Sequence, residues 1–205
     1  MTNNLISTNT DNFLKTLITT ATAYQNGNKL PAAKEVVDAL LAAEKAAKQQ
    51  KLNYSFNSLM GKWRLCFVTG TKKARQRGGI ILGKGIYIPK FVSINISFSS
   101  NQETVLDQGE VGNQVKFGAI SLELTGPLKY PGKKNLLAFD FTQMKVSLFN
   151  RRFYHQKIRS GKSEAEDFYS QSIGKQAFFA FFLMTENLIA ARGRGGGLAI
   201  WIREN

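Results

Sequence analysis

Phe178-Phe179-Ala180-Phe181-Phe182-Leu183-Met184 is followed by residues 185–192, by Gly193-Arg194-Gly195-Gly196-Gly197 and by Leu198-Ala199-Ile200-Trp201-Ile202-Arg203-Glu204. This stretch decides the fold. It reads as one long strand over residues 175–191, apolar at its centre, then a glycine-rich reversal and a short closing strand. In the closing strand Leu198, Ile200 and Ile202 alternate with Ala199, Trp201 and Arg203, the period of two that puts alternate side chains on opposite faces. A hairpin at the end of a chain needs a sheet to join, and the preceding residues must supply it.

They do so from Lys62 onward. Trp63, Leu65 and Phe67 alternate with Arg64, Cys66 and Val68, and Val92, Ile94, Ile96 and Phe98 alternate with Ser93, Asn95, Ser97 and Ser99. The second pattern is that of a half-buried strand. Residues 80–88, broken by Gly83 and Gly85 and limited by Pro89, predict a bulged strand. Further strands are expected over 102–106, 112–124 and 136–149. Within 112–124 the apolar positions switch from Val115, Phe117 and Ala119 to Ile120, Leu122 and Leu124. Within 136–149 they switch from Leu137, Phe139 and Phe141 to Met144, Val146 and Leu148. Each switch of parity predicts a bulge or bend. About eight or nine consecutive strands joined by short turns favour an up-and-down antiparallel barrel, because closure removes sheet edges.

The first 60 residues have a different period. Leu14, Leu17, Ile18 and Ala21 recur at helical spacing over 10–25, with Thr10 or Asp11 as N-cap. Val36, Val37, Leu40 and Leu41 form a narrow stripe in a second helix, with Pro31 in its first turn. The division expected is a helical hairpin over 1–55, packed outside a barrel over 56–205. Ser163 and Glu166 fit a capping box for one short helix further on.

The chain has 205 residues and a formal net charge of +14 from 28 basic and 14 acidic side chains. Six of the basic and four of the acidic residues lie in the first 60, so the excess belongs to the barrel. Charge of this size points to an anionic partner. The basic residues concentrate in two groups. Lys72, Lys73, Arg75, Arg77, Lys84 and Lys90 lie in a segment without an acid, and Arg151, Arg152, Lys157 and Arg159 surround Phe153, Tyr154 and His155. Either group alone is an ordinary solvated face; two in connecting segments of one barrel suggest an anionic membrane surface or an acidic membrane-protein complex. Cys66 and His155 are the only residues of their kinds; a single cysteine excludes an intrachain disulfide and a cysteine metal cage, and a single histidine argues against a His-rich metal site or a conventional catalytic triad. His155 reads as a solvated loop residue and Cys66 as a small core residue. The start of the chain has neither the charged nor the apolar region of a signal peptide. The longest apolar run, residues 177–184, is far short of the roughly 18 residues a membrane span needs. A cytoplasmic or membrane-peripheral protein is expected.

Three features together resemble the plastid lipid-associated protein (PAP/fibrillin) family, whose domain is lipocalin-like. They are the helical preface, Leu59-Met60-Gly61-Lys62-Trp63, similar to the L-x-G-x-W opening, and Arg192-Gly193 with Gly195 and Gly197, similar to the R-G-x-x-G ending. The family's acidic Y-L-D-x-D-x-R-I-S segment is replaced here by residues 183–191, which lack both aspartates and the arginine. The transit peptide expected of plant members is missing, so the chain resembles a cyanobacterial-type or already mature member. The resemblance implies a non-catalytic protein that carries a carotenoid, a quinone or a lipid at a photosynthetic, thylakoid-type membrane. Gly61, Trp63, Arg192 and Gly193 are the candidates for barrel closure, with Arg192 or Arg203 stacked on Trp63. Phe139, Phe141, Phe179 and Phe181 are the candidates for an apolar lining. Bilin lyases have a similar barrel, so a lipocalin-fold enzyme is the alternative; it would need a constellation of polar groups inside the barrel. Glu123 and Asp140 alternate with apolar residues and are expected to point outward. A basic nucleic-acid binder, with Phe153 and Tyr154 stacking on bases, is the remaining alternative, and no RNA- or DNA-binding signature supports it.

Overall fold

A computed structural model describes residues 3–70, 85–100, 107–149, 151–158 and 165–204. Two helices, α1 (Asn3–Asn26) and α2 (Ala33–Gln50), precede a short 3-10 turn at Phe56–Leu59. The strands are β1 (Gly61–Val68), β2 (Ile86–Tyr87), β3 (Val92–Ser100), β4 (Gln108–Phe117), β5 (Ile120–Lys129), β6 (Leu136–Phe139), β7 (Gln143–Leu148) and β8 (Arg151–Lys157). A short helix α3 (Ala165–Ser170) leads to β9 (Ala177–Met184), β10 (Leu188–Gly193) and β11 (Leu198–Arg203). Eight strands, in the order β1-β3-β4-β5-β6-β9-β10-β11, close through antiparallel β1–β11 pairing into a lipocalin-like barrel. The strands β7 and β8 continue the sheet beyond β5, outside the ring.

The register of β1 on β11 sets which side chains face inward. Trp63 pairs with Arg203 and Leu65 with Trp201; a bulge then re-phases the strand so that Val68 pairs with Ala199. Trp63, Leu65 and Val68 therefore point into the barrel, while Cys66 and Phe67 point out. Outside, Leu17, Val36 and Leu40 of the helices pack on Phe182, Leu188, Ile200 and Ile202. Both faces of β10 and β11 are thus buried, as their nearly unbroken apolar sequence requires. The Cys66 thiol lies in this outer layer, and burial pushes its pKa up to about 12. No helix among the described residues is long and apolar enough to cross a membrane.

Polar contacts fix the helices on this face. The Tyr24 hydroxyl donates to the Ile88 carbonyl (2.7 Å) and the Tyr87 hydroxyl to that of Pro31 (2.9 Å). Arg192 donates from Nε and Nη2 to the two oxygens of Glu44 on α2 (2.8 and 2.5 Å). The side chain of Glu44 is nearly buried, and the Arg192 hydrogen bonds hold its carboxyl below the usual carboxylate range against the opposing effect of burial.

Several expectations change. The long strand over 175–191 is two strands, because Thr185 makes a turn: its Oγ1 accepts from the Leu188 N–H (3.0 Å). The parity switch in 112–124 is no bulge but a two-residue hairpin turn at Gly118-Ala119, with Phe117 opposite Ile120 and Gly118 at φ +55°. The switch in 136–149 is the expected bend, breaking the strand between β6 and β7. Pro31 precedes the N-cap residue Ala32 rather than lying inside α2, and Glu35 reaches back to the Ala32 N–H (3.2 Å). Helix α1 extends before Thr10 and Asp11 to Asn3, so neither is its cap. The strand over 102–106, the start of that over 80–88, and Ser163 lie outside the described residues.

The Glu44–Arg192 pair predicts an acid-sensitive attachment of α2. Because the folded-state pKa of Glu44 is lowered, its stabilisation is present above the unfolded carboxylate value of about 4.3 and is lost as pH falls through the folded value. Glu44→Gln is expected to cost about 1–2 kcal/mol at neutral pH, given that Arg192 is partly exposed. Melting curves at a series of pH values should show the gap to wild type closing below about pH 4; a constant gap would contradict this role.

Candidate functional site: a closed floor, a half-exposed mouth and an apolar apron

One end of the barrel is shut. The Trp63 indole is fully buried and donates from Nε1 to the Leu59 carbonyl (2.7 Å). The Arg203 guanidinium lies 4.1 Å from the indole centroid and donates to the carbonyls of Met60 (3.0 Å) and Glu186 (2.6 Å). Phe56 of the 3-10 turn stacks on Tyr130 beneath them, and burial raises the tyrosine pKa. Gly61 has φ +114°, and a side chain there would meet Arg203 Nη1 at 2.8 Å. Of the two candidate partners for Trp63, Arg203 takes the position; Arg192 faces outward to Glu44. The register explains the choice, since Arg203 is directly opposite Trp63 whereas Arg192 is on the outward parity of β10.

Above the floor, aromatic rings fill the interior. Phe181 meets Phe98 at 6.1 Å and Trp201 at 6.5 Å. Nearer the other end, Phe139 stacks on Phe179 (5.0 Å) and contacts Phe141 (5.3 Å). The four lining candidates thus come together. Phe141 and Phe179, with Leu65 and Val68, remain half-exposed and mark the mouth. Gly193 is at this end, its N–H bonded to the Gly197 carbonyl (2.9 Å). A barrel of eight strands has an interior that side chains can just fill or that admits one small ligand; here the floor half is buried and the rings at the mouth half are partly exposed.

The mouth continues onto a surface the sequence did not announce. The ends of β3, β4 and β5 run past it and, with β7 and β8, form a sheet whose inward face is apolar. In successive rows across it stand Ile94, Val115, Leu122 and Val146, then Val92, Phe117, Ile120 and Leu148. Leu124 and Met144 stand in the next row toward the barrel, beside Asn113. All ten of these apron side chains are half-buried or exposed, and none belongs to either packed core. At the tip Phe91 is 71% exposed, Phe117 57%, Phe149 76% and Phe153 82%. A single exposed apolar side chain is ordinary; a contiguous patch marks an interaction surface. A depression of about 530 Å³ lies between Leu148, Phe149 and Phe153, with Arg151 at its edge.

The opposite face of the same sheet is polar, with Ser93, Lys116, Ser121 and Ser147, and with Glu123 paired to Lys145 (3.2 Å). Arg151 and Lys157 are exposed on the strand that edges the apron, Lys116 stands on the opposite face, and the Lys90 ammonium donates to the Gln25 carbonyl at the end of α1 (3.4 Å). Residues 151–157, expected to be a connecting segment, form the edge strand β8, and His155 is exposed on a strand rather than a loop. Charged residues are what an unpaired edge selects. Tyr87 packs against Phe67 (5.0 Å) under the helices. The side chain of Arg152 and all of Lys72, Lys73, Arg75, Arg77, Lys84 and Arg159 lie outside the described residues. Among the described residues no group of His, Cys, Asp and Glu side chains is arranged to hold a metal ion.

The class defined by this geometry is a lipocalin-like barrel with an open apolar apron. No protein-family model matches the sequence, and a search of curated proteins finds no significant match.

The floor gives a direct test. Trp63→Ala should destabilise the protein by about 3–5 kcal/mol, the range for losing a buried indole. A loss below roughly 1 kcal/mol in denaturant unfolding would show that the floor does not depend on the indole.

Proposed function

We propose that this chain is a non-catalytic binding protein that takes an apolar small molecule into the barrel mouth while docked on an anionic membrane. The observation that carries the reading is the apolar face of β3, β4, β5 and β7, which runs from near the barrel rim to the phenylalanines of the apron tip and has Arg151 and Lys157 on its edge strand. The resemblance to the PAP/fibrillin family supports a lipid, carotenoid or quinone as cargo and a photosynthetic membrane as the place.

The physics separates into two steps. Each lysine or arginine close to an anionic surface contributes about 1 kcal/mol, weakening over a Debye length of about 8–10 Å. The phenylalanine rings at the tip then bury their apolar area at the boundary between head groups and acyl chains. Docking in this way places the mouth against the source of the cargo.

Co-sedimentation with neutral and anionic vesicles at low and high salt tests the docking. Wild type should bind anionic vesicles at low salt. The triple variant Phe117→Ser/Phe149→Ser/Phe153→Ser should lose most of the binding that survives high salt. Organic extraction of natively purified protein, followed by absorption and mass spectrometry, should yield a stoichiometric apolar compound. Equal binding to both lipids, or no effect of the triple variant together with an empty extract, would overturn the reading.

A further inference from the structure

A second cavity lies outside the barrel, where the last turn of α2 lifts away from β9 and β6. It is open to solvent and has a volume of about 810 Å³, within the roughly 300–1,000 Å³ range of small-molecule sites. Its apolar wall is formed by Ala47, Leu52, Leu136, Ala180 and Phe182. Leu52 remains 40% exposed on this wall.

The cavity is held open by polar ties. Asn135, which is buried, accepts at Oδ1 from the Tyr54 N–H (2.9 Å) and donates from Nδ2 to the Leu52 carbonyl (2.8 Å). The Tyr130 hydroxyl donates to the Tyr54 carbonyl (3.0 Å). These bonds fasten the segment after α2 to the turn at residues 132–135, so the walls do not depend on meeting each other.

The rim carries Lys48, Lys51 and Lys134. Its single carboxylate, Glu44, is already engaged by Arg192 through both oxygens, and Lys48 adds a contact to Oε1 (3.0 Å). A helix C-terminus ordinarily disfavours an anion. Here the Ala47 carbonyl accepts from the Leu52 N–H (3.0 Å), and Lys51 at φ 52° closes the helix, its N–H turned back on the last carbonyls. Lys51 and Lys134 are exposed and make no ion pair among the described residues.

We infer that this cavity binds a single-chain amphiphile with an anionic head group, its chain on the Leu52–Ala180–Phe182 wall and its carboxylate or phosphate at Lys51 and Lys134. The inference goes beyond the mouth and apron reading and does not rest on it. The anionic head has two sources, a fatty acid or a phosphorylated chain, and both are tested.

Isothermal titration of the full chain with dodecanoate, dodecyl phosphate and dodecanol decides the matter. At least one of the two anions should bind with one-to-one stoichiometry, and dodecanol should bind at least about tenfold more weakly. Lys51→Ser/Lys134→Ser should weaken binding of that anion by about tenfold or more, in keeping with roughly threefold or more for each exposed cation. Ala180→Phe, which fills the wall, should abolish it. Leu122→Glu, on the apron, should leave it unchanged. Binding of neither anion, equal affinity for dodecanol, an undiminished lysine variant, or loss in Leu122→Glu would each overturn the inference. The last of these results would assign the anion to the apron, leaving the fate of the docking reading to the vesicle experiment.

Discussion

The pairing of β1 with β11 is the constraint on which everything else depends. It joins residues near position 65 to residues near position 200, closes the ring and sets the inward parity of both strands. Closure leaves β10 and β11 with one face in the barrel and the other needing cover, and the helices give that cover. The same pairing places Arg203 opposite Trp63 and so shuts the floor. So distant a contact is costly in loop entropy before it is made. The buried faces of both terminal strands are what offset that cost.

Most of the architecture was legible because it follows from periodicity. The change from a helical period to a period of two near Lys62, and the apolar character of β9 to β11, place two helices outside a barrel. Parity was harder to interpret. In a two-residue hairpin the residues flanking the turn face the same side of the sheet, so Phe117 and Ile120 carry the same signature as a bulge. Gly118 was the available clue, since it occupies the first loop position at positive φ, where a tight hairpin takes glycine. Thr185 hid the other turn: a side-chain hydroxyl, not a glycine or proline, makes the reversal.

The candidate site divides in the same way. The phenylalanines at 139, 141, 179 and 181 share parity with the inward strands, and they converge. Arg192 was misplaced because a sequence motif does not state on which face of the strand its arginine lies. The apron was invisible for a more general reason. Alternation in β3 to β5 shows that one face is apolar, but not whether any other element covers it. Only the topology, with β7 and β8 extending the sheet past the ring, shows that Val115, Leu122 and Val146 lie beyond the core.

These features give the molecule a direction. The floor is filled by Trp63, Phe56 and Tyr130, and the flank formed by β1, β11, β10 and β9 is covered by helices. The apolar route among the described residues therefore runs over the apron, from Phe117 and Ile120 past Leu122, Leu124 and Met144 toward the barrel rim. On the proposed reading, a molecule leaving a bilayer along that route keeps apolar surface beneath it at each step. The barrier it avoids is the exposure of its own apolar area to water, at about 25 cal/mol for each Å². Such a route would serve no purpose if the phenylalanines at the tip stayed in solvent. On that reading its value depends on the membrane contact, which Arg151 and Lys157 on the edge strand would favour.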